Sequence, residues 1–127
     1  MPNALVIEDA PNYRQVFVRL LEELGWTVNE ASSYEEAASA LARSVPEAAL
    51  LDLGLPRENR QPEPTVGFDL LRELKGAGVR VVVCSGYAAM EDDALRLGAD
   101  GFVSKNAPDL RTRIQQFFTR GNGGGDG

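Results

Sequence analysis

The stretch AALLDLGLP, residues 48–56, decides how this chain folds: four apolar residues end on a lone carboxylate, Asp52, and a Gly-Leu-Pro turn follows. A run that short, with Pro46 before it and turn residues after it, reads as a strand buried on both faces, as strands of a parallel sheet are. Three other runs have the same form. VIED (6–9) stops at Glu8 and Asp9, VVVCS (81–85) at Ser85 and GFVSK (101–105) at Lys105. As parallel strands their carboxyl ends would share one edge, so carboxylates, a hydroxyl and an ammonium would converge there.

The segments between these runs read as helices. Tyr13, Val16, Phe17, Leu20, Leu21 and Leu24 recur as one face of an amphipathic helix, with Pro11 at its start and Gly25 at its close. Residues 26–31 form a weaker second strand. Ser32 and Ser33 each precede a glutamate by three, a doubled capping box, and Tyr34, Ala37, Ala38, Leu41, Ala42 and Val45 repeat the helical spacing. Pro46 breaks that helix and residues 47–52 make the third strand. Gly54, Pro56, Pro62 and Pro64 mark residues 53–66 as a long irregular connection, after which a helix covers 68–75 and closes at Gly76 and Gly78. The β-branched run 79–84 is a central strand, 88–97 a helix ending at Gly98, and 101–104 the fifth strand. Leu110, Ile114, Phe117 and Phe118 mark a last helix from near Pro108. Residues 1–119 thus read as one domain, and the Gly-rich tail, 120–127, has nothing to bury and is expected to be disordered. Five alternating strands and helices define an α/β, doubly wound parallel sheet.

Composition narrows the function. With 127 residues, 43% hydrophobic and 25% charged, the chain suits a soluble single domain without a secretory signal, and a lone Cys84 in an apolar run fits a reducing compartment. A net charge of −6 with thirteen scattered Lys and Arg argues against nucleic-acid binding by counterion release. No stretch is apolar enough to span a bilayer. The absence of histidine excludes Ser-His-Asp and Cys-His nucleophile systems, His-ligated zinc and phosphohistidine on this chain.

Glu8, Asp9 and Asp52 would meet where the sheet order reverses. At an effective dielectric of about 20, each pair about 5 Å apart repels by roughly 3 kcal/mol, so the cluster must share protons or bind a cation. All-oxygen ligands completed by water and phosphate suit Mg²⁺ better than a many-liganded Ca²⁺ cage. Asp52, alone at a strand end before an open turn, is the nucleophile candidate; Glu8 and Asp9 are metal holders. Ser85 can donate to one phosphoryl oxygen, and Lys105 can pair with another and with Asp52 beforehand.

The Glu8-Asp9 pair, Asp52 with Pro56 four residues on, Ser85-Gly86 and GADGFVSK (98–105) together resemble the receiver domain of two-component response regulators, over roughly residues 3–119. The resemblance implies a flavodoxin-like (βα)5 fold with strand order 2-1-3-4-5; that order comes with the family. It implies that Asp52 accepts phosphate from a phosphohistidine on a sensor histidine kinase or histidine phosphotransfer protein. It implies Mg²⁺ held by Glu8, Asp9, Asp52 and the backbone carbonyl of Gly54. Ser85 would then move toward the phosphoryl group and Phe102 would rotate inward, altering the surface of the fourth helix, fifth strand and fifth helix. A separate target protein or a second copy of the chain would read that surface in the cytoplasm, the chain being a phosphoacceptor with at most self-phosphorylation and self-dephosphorylation. Two departures stand out: the segment from Asp52 to Gly67 is longer than is usual, and Asn106 follows Lys105 where the family commonly has proline. The competing readings are a small aspartyl-phosphate phosphatase and a phosphorylation-independent interaction module. A cap domain, which such phosphatases need, has no room in this chain.

Overall fold

In a computed structural model, residues 2–58, 61 and 63–119 are described; the Gly-rich tail from 120 and Pro62, in the long connection, lie outside them. Strands β1 (Asn3–Ile7), β2 (Thr27–Ala31), β3 (Ala48–Leu51), β4 (Arg80–Ser85) and β5 (Gly101–Ser104) form one sheet of order β2-β1-β3-β4-β5. Every pairing is parallel, with Ile7 opposite Leu51, Leu51 opposite Val83 and Val83 opposite Phe102. Helices α1 (Pro11–Glu23), α2 (Tyr34–Arg43), α3 (Pro64–Gly76), α4 (Glu91–Arg96) and α5 (Leu110–Phe118) complete the doubly wound arrangement. Among the described residues no helix is long and apolar enough to cross a membrane.

Alternation along the strands sorts the core into two layers. Leu5, Ile7, Ala49, Leu51, Val81 and Val83 pack with Leu70, Leu71 and Leu74 of α3 and Ala94 of α4. Ala4, Val6, Ala48, Leu50, Val82 and Cys84 pack on the other face with Phe17, Leu20 and Leu21 of α1 and Ile114 and Phe118 of α5. Because β1 leads outward to β2 and β3 leads back the other way, the carboxyl ends of β1 and β3 open a crevice between them.

Several boundaries differ from the sequence reading. Helix α3 begins at Pro64, four residues before Phe68, because the first helical position needs no backbone N–H and suits proline. Gly67 then lies inside the helix: a Cβ there would fall 2.3 Å from Leu53 Cα, so only glycine lets the first turn of α3 press against the exit of β3. Leu55 and Glu63, on either side of the connection, pair as an isolated antiparallel bridge. Helix α2 stops at Arg43, and Val45, 54% exposed, lies outside its buried stripe. The segment after β4 is a 3-10 turn, Ala88–Met90, followed by a short α4. Trp26 precedes β2, and its indole N–H donates to the carbonyl of Phe118 at 2.8 Å.

Candidate functional site

The crevice receives its groups from strand ends, where side chains leave the ladder while the backbone is still held by it. The Asp52 N–H donates to Ile7 O at 2.9 Å and the Glu8 N–H to Ala31 O at 2.9 Å, so β1 carries both carboxylate-bearing backbones into register. One carboxylate oxygen from each of Glu8, Asp9 and Asp52 lies within 4.8 Å of the others. Glu8 is 1% exposed and Asp52 5%. Burial, then the negative charge of Glu8, push the Asp52 carboxyl up to about 7, with Asp9 adding to the rise and Lys105 opposing it.

Lys105 reaches in from the end of β5. Its Nζ lies 2.9 Å from Glu8 Oε1, 3.0 Å from Oε2 and 3.5 Å from Asp52 Oδ1, so the ammonium sits closer to Glu8 than to Asp52. Burial pulls the lysine pKa down, but the Glu8 hydrogen bond and the two carboxylate charges together raise it above its ordinary value. Glu8 Oε2 accepts from Lys105 and from the Ala10 N–H at 3.2 Å. Oε1, although within ion-pair distance of the ammonium, is not aligned with a donor and is a buried oxygen with unused lone pairs. A hard cation is the natural occupant beside such an oxygen and two neighbouring carboxylates.

Ser85 is fully buried at the end of β4; its Oγ accepts from the Tyr87 N–H at 2.9 Å, leaving its own O–H to donate. The Ser85 carbonyl accepts from the Lys105 N–H at 2.9 Å, which ties the last residue of β4 to the residue just after β5. Gly54 is buried under Tyr87: a Cβ there would meet the tyrosine ring at 3.1 Å. Phe102, opposite Val83, is half-buried against the α3 and α4 side of the core. The fold therefore brings Glu8, Asp9, Asp52 and Lys105 into one cluster. Ser85 and Gly54 lie on the adjoining strand end and loop, whereas Phe102 stands apart on the outer strand.

Two residues shortly after the acidic pair belong to this region in roles that periodicity does not show. Tyr13 places its ring centroid 4.5 Å from Lys105 Nζ, and Arg14 donates to the carbonyl of Glu8 at 2.9 Å. Their signal is position: in the first turn of α1, just after the acidic pair, Tyr13 faces Lys105 and Arg14 reaches back to the Glu8 and Asp9 carbonyls. Cys84, also near the cluster, is held inert by burial, which pushes its thiol up to about 12.

Comparison with known proteins agrees with this geometry. The sequence model of the response regulator receiver domain matches residues 4–115. An uncharacterized 14.6 kDa protein encoded in the sodA1 3′ region of Leptolyngbya boryana is 33% identical over 121 residues, covering 89% of this chain and 87% of that protein. The transcriptional regulatory protein PhoP of Escherichia coli K12 is 28% identical over 125 residues, covering 94% of this chain and 53% of PhoP. The chain thus spans about half the length of that regulator. A crystal structure of a response regulator protein from Burkholderia pseudomallei, with a phosphorylated aspartic acid, a calcium ion and citrate, superposes with a TM-score of 0.71 at 26% identity. It covers 92% of this chain and 72% of that one.

Proposed function

The chain belongs to the response regulator receiver family, the phosphoacceptor module of two-component signalling, and from that premise we propose that Asp52 is its phosphoacceptor, that Glu8 and Asp9 are its metal holders and that residues 1–119 are the signalling unit. The observation that carries this reading is the cluster itself: three carboxylates within 4.8 Å of one another, against one ammonium placed nearer Glu8 than Asp52. Such an excess of buried negative charge is costly as a structural device and useful as a cation and phosphoryl site.

Mg²⁺ bound by Glu8, Asp9, Asp52 and the Gly54 carbonyl would neutralise charge on the acceptor and on the incoming phosphoryl oxygens. An Asp52 oxygen forms the new O–P bond as the N–P bond of a phosphohistidine breaks, and the electron pair of that bond returns to the imidazole nitrogen. Lys105 exchanges part of its contact with Asp52 for a phosphoryl oxygen, and the free Ser85 O–H donates to another. Transfer converts one charge at Asp52 into about two. The proposed readout is the surface of α4, β5 and α5, with Ser85 and Phe102 as the moving parts and a downstream protein or a second copy of the chain as reader. Receiver domains are signalling modules that act with histidine kinases and downstream effectors. A phosphohistidine donor on a sensor histidine kinase or phosphotransfer protein implies a cytoplasmic location.

Fluoroberyllate with Mg²⁺ tests the reading. Wild type is expected to take up one equivalent with shifts at Ser85 and Phe102 in the NMR spectrum, and Asp52→Asn to take up none. Equal uptake by both, or none by either, would overturn it.

A further inference from the structure

Resting on the reading of Glu8 and Asp9 as metal holders, we propose that Arg14 is the positioning residue for that pair. Nη1 donates to the Glu8 carbonyl at 2.9 Å and to the Asp9 carbonyl at 3.3 Å, while Nε donates to Glu30 Oε1 at 3.1 Å. The guanidinium therefore bridges two consecutive peptide groups of the acidic loop and ties them to β2, the edge strand beside β1.

The loop has little else to fix it. Helix α1 starts from Ala10, which has no side chain able to cap, so the usual anchor for a strand-to-helix turn is missing. Glu8 supplies a partial replacement by accepting the Ala10 N–H on Oε2, but that engages the same side chain that would hold metal. On the backbone, the Glu8 N–H is taken by Ala31, leaving the carbonyls of residues 8 and 9 to be fixed from the helix side. A planar guanidinium with donors in fixed directions holds both adjacent carbonyls through Nη1 while Nε is anchored on Glu30, an orientation that a flexible ammonium does not keep. Fixing both peptide planes fixes the directions in which the Glu8 and Asp9 side chains leave, and hence the spacing of the carboxylates. Arg14 touches neither the cation nor the phosphoryl group. It acts through the backbone of the residues that do; its two carbonyl contacts are part-buried, while the Glu30 contact is open to solvent.

The test is calorimetric titration of Mg²⁺ alone into the whole chain as wild type, Arg14→Met, Arg14→Lys and Glu30→Gln. Removing an outer partner of metal ligands weakens binding by about tenfold at the low end of the usual range. Arg14→Met is expected to lose about that much, Arg14→Lys to recover only part, and Glu30→Gln to stay nearest wild type, since the carbonyl bonds survive it. Wild-type binding with unchanged affinity in Arg14→Met overturns the positioning role and leaves the proposed function standing. No saturable binding in wild type removes both. A second readout needs no folded methionine variant: the Arg14 Nε–H resonance of wild type, assigned by its loss in Arg14→Lys, should shift with the Mg²⁺ saturation curve. A resonance unmoved at saturation overturns the inference.

Discussion

Two lysine–aspartate pairs hold opposite edges of this sheet, and the same two residue types behave in opposite ways. At the amino-terminal edge, Lys75 of α3 lies 2.7 Å from Asp100, which also accepts the Val81 N–H at 2.8 Å. The lysine additionally donates to Val79 O at 3.1 Å. Burial works against the Asp100 charge, yet the Lys75 hydrogen bond, the Val81 N–H and the charges of Lys75 and Arg80 together hold its carboxyl below the usual range. At the carboxyl-terminal edge, Lys105 is 3.5 Å from Asp52, and burial with two further carboxylates pushes Asp52 up to about 7. One carboxylate per ammonium, with a backbone N–H besides, makes a stitch. Three carboxylates per ammonium make a site that stays incomplete until something positive binds.

The largest effect should come from removing the shared cation. Lys105→Met is expected to destabilise the protein by about 3 kcal/mol in urea unfolding without divalent ions, because the charges left behind are buried and unpaired. Lys75→Met, at the solvent-facing stitch, should cost about 1 kcal/mol. Mg²⁺ should restore part of the first loss and none of the second; equal losses would erase the distinction between the edges.

Removing the acceptor charge should act in the opposite direction. The folded-state pKa of Asp52 is raised, so its protonated form favours folding. That contribution is complete below the unfolded value of about 4 and is lost as pH rises through about 7. Asparagine mimics the protonated form, so Asp52→Asn without metal should gain roughly 2–3 kcal/mol at pH 8 and little at pH 4. A destabilised variant at pH 8 would contradict the strain assigned to the cluster.

Asp100 should show the reverse sign on a smaller scale. Its folded pKa is depressed, so its contribution is present above the ordinary carboxylate value of about 3.9 and disappears as pH falls through the lower folded value. Asp100→Asn is expected to cost about 1 kcal/mol at pH 7, discounted for its partial exposure, and to converge with wild type at strongly acid pH. The smallest change tests the packing around Lys105: Tyr13→Leu removes the ring beside its ammonium and should cost about 0.5 kcal/mol. The corresponding shift of the Lys105 side-chain NMR signal gives an independent check.

The carboxyl-terminal edge is largely legible in the sequence, because strands buried on both faces must be apolar runs and parallel strands must deliver their ends to one edge. That logic locates Glu8, Asp9, Asp52, Ser85 and Lys105 from residue order alone. It does not reach the roles of Arg14 or Tyr13: helical periodicity places Tyr13 on the apolar stripe, where it does pack beside Phe17, and leaves Arg14 off that stripe with no role. Nor does it predict that Lys105 sits nearer Glu8 than Asp52, which depends on where side-chain rotamers bring the oxygens. Pro64 and Gly67 read as loop residues in sequence, whereas one starts α3 and the other seats it against Leu53. Local composition cannot separate a proline that ends a loop from one that begins a helix. The Lys75–Asp100 stitch spans 25 residues of sequence with no local pattern to announce it.

Acetyl phosphate with Mg²⁺, followed by intact mass measurement and peptide mapping, tests the central claim most directly. One added phosphoryl group is expected, carried by the peptide containing Asp52, absent from Asp52→Asn and absent when Mg²⁺ is chelated. Phosphorylation that persists in Asp52→Asn, or a wild-type protein that stays unmodified with Mg²⁺ present, would contradict it.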